Sequence, residues 1–105
     1  MNQKIKTPQT DQLLKAVLTL ETLEECYSFF EDVCTVNELA SISQRFAVAA
    51  MLKEGRTYME IAQETGASTA TISRVKRSLD YGNNAYDLVL DRLSKKEQET
   101  PEEEE

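Results

Sequence analysis

The stretch from Tyr58 to Arg77 constrains the fold more than any other part of this chain. Ile61-Ala62, Thr65-Gly66-Ala67, Ile72 and Val75 recur at spacings that suit two short helices joined by a tight turn. Where two such helices cross, the facing residue must be small, and Ala62 is. Four residues on, the turn needs a residue that accepts positive φ, and Gly66 stands there. Ile61, Ala67, Ile72 and Val75 then face inward and hold the helices at a steep angle. The residues fall in one register, so 57–79 reads as a helix-turn-helix.

The rest of the chain is punctuated in the same way. Three S/T-x-x-E pairs, Thr22–Glu25, Thr35–Glu38 and Thr57–Glu60, are capping boxes: the hydroxyl accepts a free first-turn N–H and the Glu reaches back to the cap. Gly55, Gly66 and Gly82 stand where helices should stop in a left-handed residue. Ser68 and Asn84 serve as further N-caps. Six helices follow: Thr10–Leu20, Leu23–Cys34, Val36–Glu54, Tyr58–Thr65, Thr69–Leu79 and Ala85–Ser94 or slightly beyond. Leu39, Ile42, Phe46, Ala49, Ala50 and Leu52 make the expected buried side of the third, and Tyr86, Val89, Leu90 and Leu93 that of the sixth. The expected organisation is a disordered N-terminus over 1–9, a helical domain over 10–95, and a disordered acidic tail over 96–105.

Composition sets the outer limits. The chain has 105 residues, no Trp and no His, with 40% apolar residues. One small all-α core without Trp is marginal alone, and dimerisation is the usual remedy. No run approaches the roughly 18 apolar residues of a membrane span. The N-terminus lacks the apolar region of a secretory signal. Cys26 and Cys34 lie about 12 Å apart on one helix, too far for a disulfide; we expect reduced thiols and a cytoplasmic protein. Without His, and without C-x-x-C, neither a zinc site nor a His-assisted nucleophile can be assembled, so we expect no metal and no enzyme.

Charge is unevenly distributed. The formal net charge is −7. Residues 11–38 carry Lys15 against seven acids, whereas 53–77 carry Lys53, Arg56, Arg74, Lys76 and Arg77 against Glu54, Glu60 and Glu64. An acidic chain with one local cation surplus is no general polyanion binder; it points to one face. With Ile72 and Val75 committed to packing, the outward residues of the second helix are Ser68, Thr69, Ala70, Thr71, Ser73, Arg74, Lys76 and Arg77. Small residues at its front let it enter the DNA major groove, about 12 Å wide. Hydroxyls and the Ala or Thr methyls suit base edges, and the cations suit phosphates. The expectation is a sequence-specific regulator that binds double-stranded DNA. The alternative is a helical dimer whose acidic front half recruits a protein, with DNA binding weak or lost.

The stretches TVNELASISQRFAVAAMLKEG and ETGASTATISRVKRSL resemble the tryptophan repressor family, over about Thr35 to Leu93. Within it the chain is similar to the YerC/YecD branch of repressor-related proteins. The resemblance implies an all-α, six-helix, intertwined homodimer with two DNA-reading heads, acting as a repressor. In that family two arginines flank the tryptophan ligand, and their matches are Arg45 and Arg74. Read from the residues alone, Arg74 is equally a phosphate contact, and Arg45 an ion pair with Glu38 or with an acid of the partner chain. The residue after the second arginine is a glycine in the repressor, leaving room for the indole; here it is Val75. A valine at a core position fills that space, so we expect no L-tryptophan cofactor, and any small-molecule effector is unidentified. Met59 and Ala62 stand where the repressor has basic contacts, so its target sequence does not carry over.

Overall fold

The computed structural model describes residues 3–99. Among them are six α-helices and no strand: α1 Pro8–Val17, α2 Leu23–Val33, α3 Val36–Lys53, α4 Tyr58–Thr65, α5 Thr69–Tyr81 and α6 Ala85–Glu99, preceded by one 3₁₀ turn at Gln3–Ile5. The expected all-α, six-helix class is therefore the observed one. Most starts carry the chemistry the sequence shows. At Thr57 and Thr35 both capping-box bonds form: the hydroxyl accepts from the N–H of Glu60 or Glu38, and each Glu accepts from its cap N–H. At Thr22 only the first half forms; Glu25 reaches one residue further and accepts from Glu21 N–H at 2.8 Å.

The boundaries differ from expectation at both ends. α1 starts inside the segment expected to be disordered, because Thr7 caps it by accepting from Thr10 N–H and Pro8 pre-sets the first helical φ. It also stops earlier, at Val17. α6 continues to Glu99, so 96–99 are helical, while the remainder of the expected acidic tail lies outside the described residues. Gly82 is not left-handed: its φ is −89°. A side chain there would collide with the Ser78 carbonyl instead. The positive φ of this connection falls on Asn84, at 63°, so Asn84 is not an extended N-cap.

The chain divides into two units, the first ending at Ala40 and the second starting at Ser41, inside α3. In the first, α1 and α2 bury no residue. Leu14, Leu18, Leu23, Tyr27 and Val36 are all more than half exposed. Cys26 and Cys34 are free thiols.

The second unit holds the core. Val48, Ala49 and Met51 of α3, Ile61 of α4, Ala67 of the turn, and Ile72 and Val75 of α5 form one buried cluster, flanked by Leu52, Ala62, Leu79 and Tyr86. The buried face of α3 is only partly the one expected: Ala49 is buried and Leu52 flanks the cluster as expected, but Val48 and Met51 take the places of the others. Ile42 is 48% exposed, and Leu39, Phe46 and Ala50 are only half-buried. At 100° per residue these four lie opposite Val48, so α3 is apolar on two sides and a single stripe cannot describe it. Tyr86 of α6 stacks on Phe46 with ring centroids 6.3 Å apart, and Lys53 pairs with Asp87 at 2.6 Å. On α6, Val89 and Leu93 are exposed at 46% and 42%, against expectation.

This core gives a direct check. Ile61 is fully buried, whereas Met59 on the same helix is 72% exposed. Ile61→Ala should lose about 2–5 kcal/mol in urea unfolding, and Met59→Ala should change stability by less than about 0.5 kcal/mol.

Candidate nucleic-acid interface

The turn between α4 and α5 is fastened by four short bonds. Gly66, left-handed at φ 76°, donates its N–H to Ala62 O and ends α4. Thr65 Oγ1 donates to Ile61 O at 2.7 Å and accepts from Ala67 N–H at 3.1 Å. Gln44 of α3 donates its Nε2–H to Thr65 O at 3.0 Å. Ser68 then opens α5: its Oγ accepts from Thr71 N–H, while its own hydroxyl donates to Thr71 Oγ1. Ala67, Ile72 and Val75 plug the head into the core.

What remains of α5 faces outward. Ser68, Thr69, Ala70, Ser73, Arg74, Lys76 and Arg77 are exposed. Thr71 is half-buried and shares the cap with Ser68, so it is less available than its neighbours. At 100° per residue, Ala70, Arg74, Arg77 and Tyr81 line the centre of the outer face. Tyr81 is 84% exposed. It lies beyond the expected helix end at Leu79, and its place four residues after Arg77 is the sequence signal that puts it on this face.

The cations divide in a way that formal charge conceals. Arg56 is held by Glu54, Glu60 and Glu64. Lys53 pairs with Asp87, and Lys76 with Asp80 at 3.0 Å. Asp80 raises the Lys76 ammonium above its ordinary value, mainly by accepting its hydrogen bond. Among the described residues, Arg74 and Arg77 have no ion-pair partner. α5 also has no acid in its first turn, whereas each of the other five helices does. Its N-terminal dipole therefore meets no carboxylate of its own helix.

The arginines matched to the repressor's ligand pair are not joined by a shared hydrogen-bond partner among the described residues. Arg45 is half-buried and donates to Ser41 Oγ at 2.8 Å; Glu38, its expected partner, is occupied by the Thr35 cap. Arg74 is exposed and Val75 is 2% exposed, inside the core. No group of three or more acids, Cys or His that could hold a metal is present among the described residues, and no described helix is long and apolar enough to cross a membrane.

An all-α fold with this fastened turn and second helix defines a helix-turn-helix protein. The family model for Trp repressor protein matches residues 8–94. The uncharacterized protein YerC of Bacillus subtilis is 57% identical over 97 residues, covering 92% of this chain and 93% of that protein. Two crystal structures superpose closely. A TrpR-like protein from Eubacterium eligens gives a TM-score of 0.86 at 62% identity, covering 89% of this chain and 96% of its own. A candidate Trp repressor from Staphylococcus aureus gives 0.85 at 60% identity, covering 88% and 92%. The chain belongs to the Trp repressor family.

The acid cluster around Arg56 gives a pH prediction. Glu60 is held below its ordinary value of 4.5, first by the Thr57 backbone N–H and then by Arg56. Stability from a depressed carboxyl is complete above the unfolded value and is lost as pH falls through the folded one. Glu60→Gln should therefore be less stable than the parent at pH 7, and the gap should narrow progressively as pH falls below the ordinary carboxyl value, as read by urea midpoints at each pH.

Proposed function

We propose that the protein is a sequence-specific DNA-binding regulator of transcription. It acts in the cytoplasm as a homodimer and represses by occluding promoters. The observation that carries this reading is the outer face of α5: small and hydroxylated at its front, with Arg74 and Arg77 uncommitted behind, on a helix locked from below by Ile72 and Val75. Such a face enters the major groove with Thr69, Ala70 and Ser73 against base edges. Arg74 and Arg77 then grip phosphates and set the register. Lys76 is a lesser contact because Asp80 already holds it.

Two apolar surfaces support the dimer. One is the exposed Leu14, Leu18 and Leu23 of the first unit; the other is the side of α3 bearing Ile42 and Leu39. A second copy of the chain covers both and supplies the burial that a small core lacks. It also presents two reading helices to half-sites about one helical turn apart, the spacing common to helix-turn-helix dimers, the Trp repressor among them. Tryptophan is not the effector in this reading, because the side chain of Val75 is itself core.

Two measurements test these claims. Binding to duplexes selected from genomic DNA should weaken steeply with salt, with Arg77→Gln lowering the log–log slope by about one per arginine removed. Lys76→Gln should cost less, and Ser73→Ala should change base preference rather than slope. A dimer that selects no duplex but captures a reproducible protein partner would favour the interaction-module alternative. L-Tryptophan should leave the melting temperature unchanged, whereas a true corepressor at 100 times its Kd adds about 2.7 kcal/mol.

A further inference from the structure

Gln44 sits on α3, half-buried, with no place in the outer face of the head. Its Nε2–H donates to the backbone carbonyl of Thr65, 21 residues away and the last residue of α4. That carbonyl is one of the four at a helix C-terminus that lack an intrahelical donor. Other side-chain bonds of the head among the described residues span shorter separations: Thr65 to Ile61, Ala67 to Thr65, Ser68 to Thr71, Lys76 to Asp80, and Arg56 to Glu64 across eight residues. The same amide nitrogen lies 3.9 Å from where a side chain on Gly66 would begin, so it is seated against the turn itself.

Apolar packing and this bond do different work. Ile61, Ile72, Val75 and Val48 hold the head to α3, but dispersion is non-directional and tolerates small rotations. An N–H···O bond weakens steeply as its angle departs from linear. We infer that Gln44 is the positioning residue of the reading head. It fixes the pitch of α4 and α5 against α3, and so the half-site spacing that a dimer accepts. The inference rests on the DNA-reading function proposed above, yet the strut is measurable without DNA.

The test compares the parent chain with Gln44→Met, which keeps the length and removes the donor, Gln44→Glu, which aims an acceptor at an acceptor, and Gln44→Lys, which keeps a donor. Without DNA, amide exchange at Ala67 should quicken about tenfold in the Met and Glu variants, recover in the Lys variant, and stay unchanged at Val48. With duplexes selected by the parent chain, the half-sites are then moved apart by one base pair. The parent should lose binding sharply, while Gln44→Met should show a penalty smaller by about tenfold. A purely structural role would weaken both duplexes alike and leave that ratio fixed, which overturns the inference. If the parent selects no duplex, the DNA-reading proposal falls separately. The strut is then judged by exchange alone, and unchanged exchange at Ala67 in Gln44→Met overturns it.

Discussion

The structure depends on one apolar contact: Ile61 of α4 with Ile72 and Val75 of α5, closed over by Val48 and Met51 of α3. Everything exposed on the head is exposed because these residues are not. Burying each such side chain is worth about 1.5–3 kcal/mol, enough for the cluster to hold an eight-residue α4 that could not persist as an isolated helix. The left-handed Gly66 and the Thr65 bonds then add direction to an attraction that has none of its own. Val75 belongs to this contact, so an effector cavity at its position would require the head to give up part of its anchorage.

Electrostatics divides the same surface into support and function. Arg56 stands between Glu54, Glu60 and Glu64, and Lys76 is tied to Asp80. These exposed pairs contribute little to stability, but they absorb most of the cations that make 53–77 locally positive in the sequence. The pair left over, Arg74 and Arg77, points outward from a helix whose first turn is free of acid. A net-acidic protein can in this way offer phosphates a narrow footprint while repelling them elsewhere, which favours selective over indiscriminate binding.

Much of this was legible in the sequence, and the physics explains which parts were. Caps and the left-handed glycines at 55 and 66 are local chemistry, so the helices were found, and the inward set Ile61, Ala67, Ile72 and Val75 was named correctly. Thr7-Pro8 carried the same kind of signal for α1 and was passed over. The failures are tertiary. A two-sided α3 offers no single stripe, so Val48 and Met51 were missed while Ile42 was assigned to the interior. Lys76 stood with the phosphate contacts, because Asp80 becomes its partner only on a helix that runs past Leu79. Gln44 carries no local mark at all; only the fold brings it to Thr65.

The central claim is that α5 reads base edges in the major groove from a head locked by its apolar side. Guanine N7 lies in that groove and nowhere else on the duplex. Methylation interference on a duplex selected by the protein is therefore the most direct test. The account predicts two clusters of interfering N7 methyl groups about one helical turn apart. Tight, selective binding that ignores N7 methylation throughout would contradict it.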